Sequence, residues 1–206
     1  MKHVLTLIIS TAAIGSILLT INPSTAISRE TANDYYNEGV KLFQEGCQGD
    51  PGFKKELCDK AIGFLEKAIK LDSKLTSAYM ALANAYWNKS FFDSKNQKEK
   101  TGLQEKATNL YRKVIEIDPN NSEAYYKLSI HSKDVKEEIS LLRKVIELDP
   151  KHPEAHGYLA RILLSQGEND DAFREYMIHL QVSPYRGTQD ANNHILFAKS
   201  LAEVSS

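Results

Sequence analysis

Apolar residues recur three and four positions apart through most of the chain beyond residue 30. The phrases "LEKAIKLDS" at 65–73, "YRKVIEIDPNN" at 111–121 and "LRKVIELDPKH" at 142–152 are near copies of one another, and "YMIHLQVSP" at 176–184 is a worn fourth copy. Each reads as the end of an amphipathic helix, closed by Asp or Ser and usually by Pro. Proline lacks an N–H and restrains the residue before it, so it stops a helix. Between these phrases stand others of helical period: "ANDYYNEGVKLF" at 32–43, "SAYMALANAYW" at 77–87, "SEAYYKLSIHS" at 122–132 and "PEAHGYLARILL" at 153–164. The pattern predicts an all-α chain of helix pairs in tandem.

One helix pair of this kind cannot bury its apolar face alone, so neighbouring pairs must stack into a solenoid. Small residues at Gly39, Ala83, Ser129 and Ala160, and again at Ala61, Ala107 and Ala172, let the paired helices approach closely, while large residues beside them fill the space. The last pair needs a cover. The stretch 188–204 offers Ile195, Leu196, Ala198, Leu201 and Ala202 at helical spacing, with Asp190, Asn192, Lys199 and Glu203 for water, and is expected to be a capping helix.

These phrases resemble the tetratricopeptide repeat, a 34-residue helix–turn–helix. The copy nearest that pattern spans 153–186. His156 takes the aromatic position, Leu159 and Ala160 the Leu-Gly step, Leu163 the Tyr position, and Ala172 and Tyr176 the second-helix step. Gly167 closes the first helix and Pro184 ends the unit. The others depart in length. Repeats 32–75 and 76–121 carry insertions between their helices, and repeat 122–152 is short and has Glu138 where a small residue normally stands. The resemblance covers residues 32–186 and implies a right-handed superhelical solenoid of about four helix pairs.

The insertions, Gln48–Lys60 and Phe91–Lys106, fall at the turn inside a repeat and so belong to one edge of the solenoid. Phe53, Leu57 and Ala61 are four apart, as are Leu103, Ala107 and Tyr111, so each insertion is expected to extend its second helix by a turn or two. Two readings stand: solvated extra helix, or a second contact edge anchored by Phe91 and Phe92.

The N-terminus reads as an export signal. Val4–Ile21 carries no charge, Asn22-Pro23 breaks the run, and Ser24-Thr25-Ala26 supplies the small residues of a cleavage site. Residues 1–26 are therefore expected to be a cleaved signal peptide, with an uncleaved membrane anchor as the alternative. That expectation places the protein outside the cytosol, in a periplasm, a lumen or the extracellular space. Cys47 and Cys58 would then meet oxidising conditions and pair as a disulfide; the alternative is two unrelated buried thiols.

The charge is nearly balanced, with 26 Lys and Arg against 27 Asp and Glu. No excess of cations exists to neutralise phosphates, which argues against a nucleic-acid partner. Catalytic and cofactor motifs are missing. His152 and His156 have the spacing of helical metal ligands, but Pro153 lies between them and no H-E-x-x-H motif appears, so neither a metal nor a cofactor is expected.

In tetratricopeptide proteins the first helices of successive repeats line a concave groove. By that resemblance the groove here carries Tyr36, Val40 and Phe43, then Met80, Asn84 and Trp87, then Tyr126, Ile130 and Lys133, then Arg161 and Leu164. Aromatic and Met side chains suit the burial of apolar anchors from a partner peptide or helix; the alternative is that the protein's own N-terminal tail or capping helix fills the groove. Trp87, Phe43, Met80 and Tyr126 are expected to share one central cavity; the alternative is that Trp87 packs under the second insertion and serves stability. Some tetratricopeptide domains clamp a C-terminal carboxylate with Lys, Asn and Arg. Here Tyr36 and Val40 stand at the first Lys and Asn positions, so that clamp is not reproduced. The reading is a non-catalytic adaptor or assembly factor that binds another protein; the alternative is an accessory or regulatory subunit of an envelope enzyme or biogenesis complex. The membrane enters only if residues 4–21 stay attached.

Overall fold

The computed structural model describes residues 30–182, apart from residues 50, 51 and 153. All the regular structure among the described residues is helical. It runs α1 (Ala32–Gly46), α2 (Lys55–Leu71), α3 (Thr76–Phe92), α4 (Gln97–Ile117), α5 (Ser122–Ser129), α6 (Val135–Leu148), α7 (Ala155–Ser165) and α8 (Asn169–Val182). The helices pack most extensively within the pairs α1–α2, α3–α4, α5–α6 and α7–α8, and next between the second helix of one pair and the first of the next. This is the tandem solenoid the periodicity predicts. The expected signal segment 1–26 and capping helix 188–204 lie outside the described residues, as do Pro153, Pro184 and Arg186.

The repeated phrases owe their helix stop to an aspartate. Asp72, Asp118 and Asp149 follow the ends of α2, α4 and α6 as C-cap residues. Their carboxylates accept the backbone N–H two residues on, from Lys74 (2.9 Å), Asn120 (3.1 Å) and Lys151 (3.1 Å). Their carbonyls accept from Leu75, Asn121 and His152 at 3.3, 3.2 and 3.0 Å. The turn is the same at Ser73 as at Pro119 and Pro150. The sequence pattern credits proline with stopping these helices, but the carboxylate's local bond to the backbone is the common element.

Helix starts are capped by varied groups. Thr31 forms a capping box with Asp34, whose carboxylate accepts the Thr31 N–H at 2.7 Å. Asn96, Asn121 and Asp134 accept the first-turn N–H groups of α4, α5 and α6. His152 does the same for α7, its Nδ1 accepting from Ala155 N–H at 3.2 Å. At the far end of α7, Gly167 adopts the left-handed φ of 79°. The Glu168 N–H reaches back to the Leu163 carbonyl at 3.0 Å, so Gly167 closes the helix as expected.

The interior follows the small-and-large pattern. Ala61, Ala83, Ala107, Ser129, Ala160 and Ala172 are all fully buried, beside Leu65, Val114, Leu142 and Val145. At Gly39 an added Cβ would stand 2.7 Å from Leu65 Cγ, so α1 and α2 touch through the missing side chain. Glu138 is half-buried, and burial pushes its carboxyl pKa up.

Both insertions lengthen helices. α2 starts at Lys55 and α4 at Gln97, as expected, and α3 also runs on to Phe92. The two insertions then close on each other. Phe53 stacks on Phe92 with ring centroids 5.5 Å apart. Lys55 bridges Asp59 (3.0 Å) and Asp93 (2.7 Å), and Lys89 pairs with both aspartates. Burial opposes ionisation of Asp59, but the bonds from Lys89 and Lys55 outweigh it and lower its pKa. Cys47 and Cys58 are bonded as a disulfide beneath this edge, both fully buried. The Asn88 amide donates to the Cys47 carbonyl at 3.0 Å, which fastens α3 to the same loop.

Candidate functional site

The first helices present their residues by turns. On α1, Tyr36, Val40, Phe43 and Gln44 share one face, and Gln48 follows just past the helix end. On α3, Ser77, Met80, Ala81 and Asn84 do the same. These residues, with Asn121 and Glu123 at the start of α5, line a groove of about 430 Å³. Five of the expected groove residues therefore meet here: Tyr36, Val40, Phe43, Met80 and Asn84. All five are half-buried, with one side on the core and the other on the groove.

The polar side of this groove is also positioned by the fold. The Tyr111 hydroxyl donates to Asn84 Oδ1 at 2.6 Å, which leaves the Asn84 NH₂ as its remaining hydrogen-bonding group. Burial raises the Tyr111 pKa well above the usual phenol value, so it stays a donor. Glu123 lies 3.2 Å from Lys127 Nζ and 3.6 Å from His152 Nε2. Burial works against its charge, but His152 and Lys127 overcome this and hold its pKa below the usual glutamate value. Among the described residues, Glu123 is the only acidic or basic side chain lining the groove, and Gln44, Gln48 and Asn84 supply amides.

Trp87 does not belong to this groove, contrary to expectation. Its ring stacks on His131 with centroids 3.3 Å apart and packs against Phe91 at 5.4 Å. It lines a separate notch of about 570 Å³, together with Ile130, Lys133 and the exposed face of α4 from Thr101 to Arg112. The notch comes from unequal helix lengths. α4 has 21 residues, whereas α5 has 8 and stops at Ser129 rather than continuing to residue 132. The Asp134 cap and a Ser132 hydroxyl bond to Glu137 (2.6 Å) turn the chain early into α6. The first turns of α4 thus overhang the short third pair. His131 sits at the root of this step, and its Nδ1 is buried with no hydrogen-bond partner. Burial drives its pKa down to about 4.

Tyr126 also departs from expectation. It is buried, its hydroxyl donates to Glu154, and its ring lies 4.6 Å from that of His152 and 5.9 Å from that of Tyr158. It joins the third and fourth pairs as core. It clusters with Ala155, Leu159 and Ile162 of α7, which cover it. Leu164 is half-buried against the same core cluster. Arg161 is exposed, with its guanidinium 4.7 Å over the Tyr158 ring beside a smaller hollow of about 250 Å³. The four residues expected to share one cavity are thus divided: Phe43 and Met80 in the groove, Trp87 in the notch, Tyr126 in the core.

Sequence reasoning missed Ser77, Ala81, Gln44, Gln48, Asn121 and Glu123. The i, i+4 row from Tyr36 points to Gln44 and, past the helix end, Gln48, and the i−3 and i+1 neighbours of Met80 are Ser77 and Ala81. Glu123 has no such signal, since it enters from the first turn of a third helix. His156 is buried, with Nδ1 2.6 Å from Glu175 and Nε2 3.1 Å from the Pro150 carbonyl. The Glu175 bond raises its pKa against the opposing effect of burial. His152 and His156 therefore serve as cap and packing group. Among the described residues, no group of three or more His, Cys, Asp or Glu side chains is placed to hold a metal ion.

A family profile described as tetratricopeptide repeat matches residues 129–174, and a second profile of the same description matches residues 110–130. No curated protein matches the sequence significantly. Solved structures do. TTC0263, a thermophilic tetratricopeptide protein of Thermus thermophilus, is similar with a TM-score of 0.61 at 16% identity, over 82% of this chain and 81% of that one. YrrB, described as a tetratricopeptide protein with an unusual peptide-binding site, gives 0.58 at 20% identity, over 84% and 78%. MamA gives 0.57 at 22% identity, over 84% and 93%. At these identities the likeness is one of fold.

Proposed function

We propose that this solenoid, which matches the tetratricopeptide repeat at residues 110–130 and 129–174 and shares its fold with solved tetratricopeptide proteins, is a non-catalytic adaptor or assembly factor that holds a segment of another protein in the groove between α1 and α3. One observation carries this reading. Tyr36, Val40, Phe43 and Met80 stand half-buried along one groove with amide groups beside them. Apolar pockets rimmed by a few polar groups are what an extended peptide or a helix needs for anchorage and orientation. The peptide-binding site described for YrrB is consistent with this use of the fold.

We further propose that the protein works outside the cytosol. Two features support it: the signal-like residues 1–26 and the Cys47–Cys58 disulfide, a bond that persists in oxidising compartments. Fractionation of the source cells with N-terminal sequencing tests the location. A mature start near Ile27 in a membrane-free exported fraction is expected; a start at Met1 in the membrane pellet makes the segment an anchor.

Affinity capture from that fraction, with wild-type protein beside Tyr36→Ala and Phe43→Ala variants, tests the groove. Partners held there are lost from both variants while their folding, followed by circular dichroism, is retained. A partner captured equally by all three sits elsewhere on the solenoid.

A further inference from the structure

We propose that the segment received by the groove is cationic, carrying a Lys or Arg next to its apolar anchor, and that Glu123 receives that charge. This rests on the groove reading above and adds the partner's chemistry to it.

The argument is one of charge complementarity. Among the described residues, the groove lining holds apolar side chains, amides and a single ionised group, Glu123, with no cation in the lining. A partner carboxylate entering here would lose water and gain no opposite charge, so an acidic segment is disfavoured. A partner cation has one place to go. Glu123 stands at the first turn of α5, where the helix N-terminus also favours an anion. Its neighbours leave room for a further donor. Lys127 approaches one oxygen, Oε1, and also lies 5.5 Å over the Tyr126 ring, outside the groove lining. His152 stands 3.6 Å from Oε2 while its Nδ1 caps α7. A carboxylate accepts about four hydrogen bonds, so a Lys or Arg from a partner adds to this set without displacing it.

The apolar wall fixes where the anchor lies relative to the charge. Tyr36, Val40 and Phe43 form one side and Met80 the other, with Glu123 at the end contributed by the third pair. Asn84 lies on α3 between these features, its NH₂ available to donate to a backbone carbonyl of the segment. The groove thus selects an apolar residue followed or preceded by a cation.

The test selects random dodecapeptides displayed on phage against the full chain. A synthetic copy of an enriched peptide, and a copy with its Lys or Arg changed to Ala, are then titrated by fluorescence anisotropy. The proteins are wild type, Glu123→Gln and Tyr36→Ala. Enriched peptides should carry Lys or Arg beside an aromatic or aliphatic residue. Glu123→Gln should weaken the cationic peptide by about fivefold and leave the neutral copy unchanged, a coupling that a general loss of fold would not produce. Enrichment of peptides without a cation, or an equal loss for both copies, overturns the proposal. If Tyr36→Ala abolishes binding but Glu123→Gln does not discriminate, the groove reading stands and the charge assignment fails. If Tyr36→Ala leaves binding intact, the peptide lies elsewhere and both fail.

Discussion

Trp87 and His131 lie ring on ring, centroids 3.3 Å apart, across the step between the second and third helix pairs. Trp87 also packs on the cluster of Ala83, Ala107, Tyr111 and Leu128. These contacts join the second pair to the third. Trp87→Ala should therefore destabilise the fold by about 2–3 kcal/mol and leave peptide affinity in the groove nearly unchanged. Chemical denaturation beside a peptide titration checks this. A stable Trp87→Ala protein with lost affinity would return Trp87 to the binding surface.

His131 and His156 give opposite pH dependences. His131 is pushed down to about 4, so it stays neutral in the fold while the unfolded chain takes a proton near pH 6.5. Stability from this site is present above about pH 6.5 and lost as pH falls towards 4. His156 is raised by Glu175, so its contribution is complete below about pH 6.5 and is lost as pH climbs through its raised value. His131→Phe should flatten the acid side of the stability profile and His156→Gln the neutral-to-alkaline side. Urea midpoints measured from about pH 4 to 9 would show both changes; unaltered slopes would refute the assignments.

Gly39 is held by contact. A methyl group there meets Leu65 at 2.7 Å. Helix propensity alone would make Gly39→Ala stabilising by about 1 kcal/mol. Overpacking should reverse that sign and give a net loss of about 1–2 kcal/mol. Thermal melting of Gly39→Ala decides between the two effects.

The Ser73 turn matches the Pro119 and Pro150 turns in its aspartate bonds. Ser73→Pro should therefore fit and raise stability by about 0.4–1 kcal/mol through the unfolded chain. A falling melting temperature would mean the Ser73 backbone differs from its proline-bearing counterparts.

Much of the fold was readable because its determinants are local. Ala83 and Ala107, or Gly39 and Leu65, announce their packing through helical spacing, and the Asp turns through repetition. The groove was half readable for the same reason: Tyr36, Val40 and Phe43 share a helix face. What failed depended on neighbours. Tyr126 occupies a position comparable to its counterparts, yet α7 buries it. Trp87 lies one turn beyond Asn84, but the early stop of α5 at Ser129 brings His131 onto its ring. The early end of α5 decided the place of Trp87 and the packing of α7 that of Tyr126, and the cap that shortened α5, Asp134, lies outside the repeat pattern.

The laced edge makes the two ends of the solenoid unequal. Removing the disulfide by Cys47→Ser with Cys58→Ser should cost about 2–3 kcal/mol, since the bond closes a loop with a sequence separation of 11. Among the described residues that bond locks the first pair, and two lysines and an aromatic stack tie it to the second, while no covalent tie reaches the last two. A protease or a pulling force would then meet a chain that unravels from its C-terminal pairs and halts at the second. The apolar wall of the groove on α1 and α3 lies on the side of that stopping point that unravels last, whereas Glu123 on α5 lies beyond it, so partial digestion should leave a fragment that keeps the apolar anchor site and loses the preference for a cation.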